Sequence, residues 1–335
     1  MGNRSARRSD RFAEGRAVIL TDYFTYPHHI TWDYARQCGV RHGVIRAPET
    51  KDFDLCSPEH WKRLCGDFRA YGITPLVLEP LPNALHDHIK SGDGQRDEAI
   101  ERFLKMLPIL KSQGIETVCF NFMAHVGWTR TREDYPERGG ALVTGFDLSQ
   151  YKPSDAAITE EQLWENYGYF VRAVVPEAER WGIKLALHPD DPPLPRLGNV
   201  SRIMTSYENI NRAIHLVESP ALGVTFCQAT YHMMGENVAE TAKKFGEKIF
   251  FIHFRNCKGK PECFAETFHD NGELDMAELI RTYYQLGLNV PIRVDHVPIM
   301  AGESGGVAGY TALGRLYAIG YLKGLLEMLG HEQLI

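Results

Sequence analysis

Four short apolar segments in the second half of the chain each end in a side chain that can bind a metal ion. The segment IKLAL (183–187) stops at His188, because the HPDDPP sequence that begins there cannot continue a strand. The segments LGVTFC, IFFIHF and PIRVD end at or beside Cys227, His253 and Asp295. Short continuous apolar runs are typical of parallel strands buried on both faces. The sequence therefore predicts four neighbouring strands whose carboxyl ends meet around one polar site.

Strand-like and helix-like segments alternate along the rest of the chain. Four further strand-like segments precede those above, at 17–24, 39–46, 73–79 and 115–123. Helix N-terminal signals separate several segments, namely Ser57 before Pro58, a capping box of Thr159 with Gln162, and Thr205 with Glu208. Eight strands alternating with eight helices require parallel pairing through right-handed crossovers. We therefore predict an α/β fold, a closed (β/α)8 TIM barrel, with an open doubly wound sheet as the second choice.

Length and composition indicate one globular domain with a large core. The 335 residues are 44% hydrophobic and 24% charged, and no shift in composition marks a boundary. We assign residues 16–335 to the barrel. Residues 1–15 contain several arginines and almost no apolar side chain, so they are predicted to form a flexible basic tail.

Charge, hydropathy and motif content exclude several classes of protein. A formal net charge of −6, with no basic stripe beyond the first residues, argues against a nucleic-acid partner. No apolar run approaches the roughly 20 residues that a bilayer crossing needs, so no membrane partner is expected. No glycine-rich phosphate turn follows the first strand, which argues against a nucleotide cofactor. Seven scattered cysteines do not suggest a disulfide framework, and the cytoplasm is the expected compartment. The sequence leaves the oligomeric state open, a homodimer included.

His188, Cys227, His253 and Asp295 form a mixed set of nitrogen, sulfur and oxygen ligands. Such a set suits a borderline divalent ion (Mn²⁺, Fe²⁺, Co²⁺ or Zn²⁺), whereas a thiolate disfavours Mg²⁺ and Ca²⁺. Taken singly, each residue has an ordinary structural explanation, since a free cysteine is usually a small buried hydrophobe. Their joint placement at four strand ends favours the metal site.

His296 and Tyr310 are candidate acid–base residues beside this set. Successive side chains on a strand point to opposite faces, so His296 reaches a substrate only by turning sideways where the strand ends. A histidine near neutral pKa and a tyrosine near a cation form a plausible proton-transfer pair. Packing at a helix N-terminus explains Tyr310 about as well.

Arg130, Arg255 and Asn256 are candidate substrate-binding residues. Arg130 lies in a connection (124–158) too long to be a passive turn, and the other two follow the third strand-end ligand. Arginine binds carboxylates through two parallel hydrogen bonds, so this pair predicts an anionic, oxygen-rich substrate. Each arginine alone is more often a surface ion-pair residue. The adjacent Asp190 and Asp191 suit loop-capping or ligand-supporting roles.

Several motifs resemble those of the mannonate dehydratase family, whose members are xylose-isomerase-like TIM barrels. They are FNFMAHVGWTRT (120–131), LALHPDDPP (185–193), GVTFCQAT (223–230), IHFRN (252–256), RVDH (293–296) and AGYTALGRLYAIGYLKGL (308–325). The resemblance implies a metal-dependent lyase that removes water from D-mannonate to give 2-keto-3-deoxy-D-gluconate. It also implies Mn²⁺ at the four ligands, His296 and Tyr310 as acid and base, and substrate contacts from Asn121 and Trp128.

The chain departs from the family pattern in loops expected to contact substrate. Ala124, His125, Val126 and Gly127 stand where members read Pro-Val-(Leu/Phe)-Asp, and VIRAPE (44–49) replaces a segment containing Leu-His-His. The metal set is intact, so the resemblance supports the metal chemistry more firmly than the identity of the sugar acid. Two alternatives stay open: a metal-dependent sugar isomerase or epimerase, and a non-catalytic sugar-acid binding protein.

Overall fold

Eight parallel strands close into a barrel in the computed structural model, which describes residues 18–304 and 306–332. They are β1 (Ile19–Phe24), β2 (His42–Ile45), β3 (Thr74–Leu78), β4 (Thr117–Phe120), β5 (Lys184–Leu187), β6 (Leu222–Cys227), β7 (Ile249–Phe254) and β8 (Pro291–Val294). Their order around the barrel follows the chain, and β8 pairs with β1 to close it. The predicted TIM barrel is therefore confirmed, and the second choice, an open doubly wound sheet, is wrong. The predicted basic tail, residues 1–15, lies outside the described residues.

Ten α-helices connect and cover the strands in the described part of the chain. They are α1 (Ile30–Gln37), α2 (Pro58–Ala70), α3 (Asn83–Ser91), α4 (Arg96–Ser112), α5 (Glu160–Trp181), α6 (Tyr207–Ile214), α7 (Gln228–Met233), α8 (Val238–Phe245), α9 (Met276–Gln285) and α10 (Ala312–Glu332). The sequence did not predict α3 or α7. The six residues of α7 continue directly from β6, with no turn signal between the two elements. None of the described helices has both the length and the apolar character needed to cross a membrane.

Hydroxyl caps set where several of these helices begin. Ser57 accepts a hydrogen bond from the His60 backbone N–H at the start of α2, as predicted. The capping box of α5 is also present, with both of its reciprocal hydrogen bonds between Thr159 and Gln162. The predicted cap of α6 was wrong by one residue. Ser206 rather than Thr205 accepts the capping hydrogen bond, because the helix begins at Tyr207.

The inside of the barrel is a packed apolar plug, which places the polar site at the carboxyl ends of the strands. The side chains that fill it come from five different strands: Val44, Val77, Cys119, Ala186, Phe250 and Phe251. Gly223 allows the closest approach between β6 and β7. A Cβ atom there would collide with the Lys248 carbonyl oxygen and lie 2.6 Å from the Phe250 ring.

A four-stranded antiparallel sheet, which we call the mouth sheet, was not predicted. It pairs segments far apart in sequence, in the spatial order Cys257–Lys260, Cys263–Glu266, Leu142–Asp147 and Arg132–Pro136. Two of its strands come from the long 124–158 connection, and the other two come from the loop after β7. The connection is therefore ordered structure. Its pairing with the loop after β7 holds Glu266 of that loop at the site.

Replacing Gly223 by alanine is expected to destabilise the barrel, by about 1–3 kcal/mol, the usual range for overpacking. The matched control is Gly66→Ala on the exposed face of α2, where an added Cβ meets nothing within 4 Å. That change is expected to stabilise by roughly 0.5–1 kcal/mol, because alanine is the better helix former. Thermal or urea unfolding of both variants beside wild type measures the difference. Equal midpoints for the two variants would contradict this account of the β6–β7 contact.

Candidate metal centre and acid–base site

Two predicted ligands, His188 and His253, face each other at the carboxyl ends of β5 and β7. His188 Nε2 lies 3.1 Å from His253 Nδ1. The other nitrogen of each ring faces an oxygen that can only accept: His188 Nδ1 is 2.6 Å from the Pro189 carbonyl, and His253 Nε2 is 2.9 Å from Glu79 Oε1. An acceptor beside each outer nitrogen favours the tautomer that carries its proton there. In those tautomers the two inner nitrogens would present lone pairs to each other, an arrangement that a cation stabilises.

Cys227 and Asp295 complete the predicted set. One ligand atom each from Cys227, His188 and His253 lies within 4.8 Å of the others. Asp295 Oδ2 is 3.5 Å from His253 Nδ1, the same nitrogen that faces His188. Burial opposes ionisation of the Cys227 thiol, but Arg255, 3.2 Å away, and then His253 outweigh it, so the thiol pKa is lowered. All four predicted residues are therefore brought together as potential ligands.

The charges buried around this group also fit a divalent ion. Three arginines face four carboxylates, namely Arg130, Arg255 and Arg293 against Glu79, Asp191, Glu266 and Asp295. Burial alone would raise the pKa of each carboxyl group, but the guanidinium groups outweigh it and lower these pKa values. These groups carry three positive and four negative charges, and ionisation of Cys227, whose pKa is lowered, would add a fifth negative charge. Because uncompensated buried charge is expensive, a doubly charged cation suits the donor set.

His296 reaches the site because the backbone leaves the extended conformation where β8 ends. Its φ is 30°, in the left-handed region that residues other than glycine rarely adopt. This turn lets His296 and Asp295 approach the same space although they are adjacent in sequence. The His296 ring packs between Trp128 and Tyr310, at centroid distances of 5.1 and 5.4 Å. The predicted sideways reach is what the structure shows.

Glu266, which sequence reasoning missed, supports His296 from the mouth sheet. Its Oε1 lies 2.9 Å from His296 Nδ1, and Arg255 donates to the same oxygen. Glu266 at Nδ1 favours the tautomer with its proton there, whereas Arg255 Nη1, 2.9 Å from the same nitrogen, can only donate a hydrogen bond to it. His296 Nε2 lies 3.6 Å from Asp295 Oδ1, on the side of the metal ligands.

Tyr310 approaches the same carboxylate as His296. Its hydroxyl is 3.5 Å from Asp295 Oδ1, and its ring contacts the Tyr23 ring at 5.6 Å. Burial, and next to it the charge of Asp295, raise the pKa of the Tyr310 hydroxyl. The two candidate acid–base residues thus approach the same oxygen of one predicted ligand, and their rings contact each other.

A cavity of about 480 Å³ opens onto these groups, a volume typical of small-molecule sites. Asn121 and Trp128 line it, as do His296, Tyr310 and Arg46. Among the described residues, the lining does not include the other three predicted substrate-binding residues: Arg130, Arg255 and Asn256.

Those three residues brace the wall of the cavity from behind. Arg130 and Arg255 both bind Asp191, with distances of 2.7 and 2.6 Å to its two oxygens. The Asn256 amide donates 3.1 Å hydrogen bonds to the carbonyl oxygens of His269 and Leu274. Their hydrogen-bonding capacity is directed to the protein, so they position the site.

Glu79 was missed although the sequence contained a signal for it. It directly follows β3, at the carboxyl end of the barrel where the predicted ligands lie. Its carboxylate accepts from Arg293 Nε at 2.8 Å and contacts His253. Glu266 had no comparable signal, because only the tertiary pairing of the mouth sheet brings it to His296.

Comparisons with known proteins agree on one family. A family model described as D-mannonate dehydratase (UxuA) matches residues 19–157 and 148–334. A mannonate dehydratase of Streptococcus uberis is 32% identical over 336 aligned residues, covering 89% of this chain and 94% of its own length. The crystal structure of mannonate dehydratase from Streptococcus suis serotype 2 matches with a TM-score of 0.85 and 27% identity, over 94% of each chain. An L-ribulose 3-epimerase structure, at 13% identity and a TM-score of 0.62 over 96% of this chain and 97% of its own, shares the fold alone.

We expect one tightly held divalent ion per chain, removable with EDTA. His188→Ala and Cys227→Ala should abolish binding, and Cys227→Ser should weaken it, because a hydroxyl is a poor ligand compared with a thiolate. Elemental analysis of the purified variants measures the metal content directly. Cys263→Ser, at an exposed cysteine outside the site, is the matched control and should retain the ion. Active wild-type protein without stoichiometric metal would refute the assignment.

Proposed function

The chain belongs to the D-mannonate dehydratase family, and on that basis we propose that it removes water from D-mannonate to give 2-keto-3-deoxy-D-gluconate. The observation that supports this most directly is that His188, His253 and Asp295, three of the four proposed donors, line one cavity with the two proton-transfer side chains, and that Cys227 lies close to both histidines. A β-elimination needs both: charge stabilisation beside the substrate carboxylate, and separate groups to take and give a proton.

We assign the metal to His188, Cys227, His253 and Asp295, with Mn²⁺ as the first choice. Fe²⁺, Co²⁺ and Zn²⁺ suit the same donors. When bound, the ion supplies Lewis-acid stabilisation for negative charge that develops next to the carboxylate. Glu79 and Arg293 hold His253 and Asp295 in place, with Arg293 donating to both Glu79 and Asp295. This support fixes the tautomer and orientation of the ligands.

His296 is the proposed base. In this assignment Glu266 would hold a proton on Nδ1, which would leave Nε2 to take the proton from the carbon beside the carboxylate. The electron pair of that C–H bond forms the new carbon–carbon double bond, and the hydroxyl group on the next carbon departs. Tyr310, whose raised pKa keeps it protonated, is the proposed acid that completes the departing water. Protonation of the resulting enol at carbon three gives the 2-keto product.

Asn121 and Trp128 are the proposed substrate contacts. Asn121 lines the cavity at the end of β4, and its Oδ1 accepts from the Met123 backbone N–H, which orients its amide. Trp128 is 39% exposed and its ring packs at a tilt against His296, where it can cover a bound sugar chain. Arg130, Arg255 and Asn256 act behind this surface as positioning residues.

The function is tested by incubating Mn²⁺-loaded protein with a panel of aldonates and aldoses. We expect a 2-keto-3-deoxy product from an aldonate, with D-mannonate the first to examine, and no isomerised sugar. Product formation and aldose isomerisation are followed separately, by chromatography against standards. Turnover of neutral aldoses alone would favour the isomerase or epimerase alternative. Tight aldonate binding without turnover would favour the non-catalytic binding protein.

His296→Asn and Tyr310→Phe are expected to keep the metal and the fold while lowering kcat by at least ~10²-fold, the usual effect of losing a positioned acid or base. Steady-state kinetics with the best substrate, paired with elemental analysis, separates a catalytic loss from a metal loss. Tyr169→Phe, at an exposed tyrosine on α5, is the matched control and should retain wild-type turnover. Near-normal rates in either site variant would remove that residue from the mechanism.

A further inference from the structure

Three arginines line the cavity, and they differ in how firmly their charges are neutralised. Arg293 is buried and donates to both Glu79 and Asp295. Arg315, 7% exposed, is paired with the buried Asp22. Arg46 is different, because its side chain is 43% exposed and its partner Glu49, three residues along, is 33% exposed.

The strength of these pairs decides which arginine can accept a ligand. Exposed ion pairs contribute little to stability, whereas separating a buried pair leaves an uncompensated charge and is strongly unfavourable. A carboxylate entering the cavity can therefore replace Glu49 on Arg46 at little cost. It cannot replace the buried partners of Arg293 or Arg315 in the same way. Glu49 itself is not among the cavity-lining residues, so it can yield its place without closing the site.

Arg46 also lies in a suitable place, on the opposite arc of the barrel from the proposed ligands. It directly follows β2, whereas those ligands come from the ends of β5 to β8. Tyr23 on β1 connects the two regions: it lines the cavity, its strand pairs with β2, and its ring contacts that of Tyr310. A sugar chain with one end at the proposed metal centre would extend across the cavity towards Arg46.

We propose that Arg46 binds a second anionic group at the far end of the substrate, and that the site accepts sugar acids with an anion at both ends. The far group is a terminal carboxylate or phosphate, each of which a guanidinium binds through paired hydrogen bonds. This inference rests on the proposed function for the reaction itself. The reaction is unchanged: the proton leaves carbon two, the hydroxyl leaves carbon three as water, and the far anion takes no part.

The test compares three ligands that differ only at carbon six: D-mannonate, D-mannarate and D-mannonate 6-phosphate. Isothermal titration calorimetry with the full Mn²⁺-loaded chain measures Kd for each, so the test does not require turnover. Wild type should bind at least one dianion about tenfold or more tighter than D-mannonate, an advantage typical of one charge-assisted contact. Comparing the carboxylate with the phosphate identifies the preferred far group.

Substitutions then assign that preference to Arg46. Arg46→Met approximately keeps the side-chain length and removes the charge. It should bring the ratio of the Kd for D-mannonate to the Kd for the preferred dianion close to one. Glu49→Gln removes the competing carboxylate and should increase the preference for the dianion. Arg102→Met, at an exposed arginine of α4 outside the cavity, is the matched control and should leave the ratio unchanged.

Two results would overturn the inference: wild type binding D-mannonate as tightly as both dianions, or Arg46→Met leaving the ratio unchanged. Thermal unfolding of Arg46→Met confirms that a lost preference is not lost structure, since the residue is half exposed. Turnover is measured in parallel and addresses the proposed function separately. An Arg46-dependent preference without dehydration would reject the dehydratase assignment and retain the dianion site. Dehydration of D-mannonate without an Arg46-dependent preference would retain the dehydratase assignment and reject the dianion site.

Discussion

The site depends on two buried arginines that hold carboxylates against one another. Arg255 donates to Asp191 and Glu266 and lies 3.2 Å from the Cys227 sulfur, while Arg293 joins Glu79 to Asp295. Each guanidinium makes several charge-assisted hydrogen bonds in a fixed planar arrangement, which orients the carboxylates as well as neutralising them. Without these cations, the cluster of buried acids would shift to neutral forms and lose its ligand character. The donor set is therefore a property of the whole network, rather than of four independent side chains.

The mouth sheet connects this network to the proton-transfer side of the site. It presents Glu266 to His296 from above the barrel, and Arg130 and Arg255 bind the same carboxylate. The barrel strands supply the proposed metal donors, whereas the long connections supply Glu266, which contacts the proposed base, and part of the cavity lining. This division is common in barrels of this kind, where the strands are a rigid platform and the loops carry the specificity.

The parts of the structure that sequence reasoning predicted are those with local signals. The strand ends at His188 and Cys227 were visible because an apolar run gives way to polar residues within one or two positions. The helix caps at Ser57 and Thr159 were visible for the same reason, since a cap is defined within four residues. The mouth sheet was not visible, because it pairs Cys263 with Asp147, more than a hundred residues away. Which arginines line the cavity and which support it from behind is equally a tertiary property. Arg130 and Arg255 were predicted as substrate contacts, but they lie behind the residues that line the cavity.

The two sides of the cavity differ in how deeply their ion pairs are buried. This difference explains where substitutions can change the preferred substrate without removing the groups needed for elimination. Among the proposed metal donors, Cys227, His253 and Asp295 contact buried charged side chains, so removing one of those partners leaves an unpaired charge and is strongly unfavourable. On the opposite side, the ion pair of Arg46 and Glu49 is open to solvent and contributes little to stability. VIRAPE, one of the segments that departs from the family pattern, carries Arg46 into the cavity wall at that weakly constrained edge. Differences in the sugar acid are therefore expected to be recognised at the far end of the chain, while elimination continues to depend on the buried network.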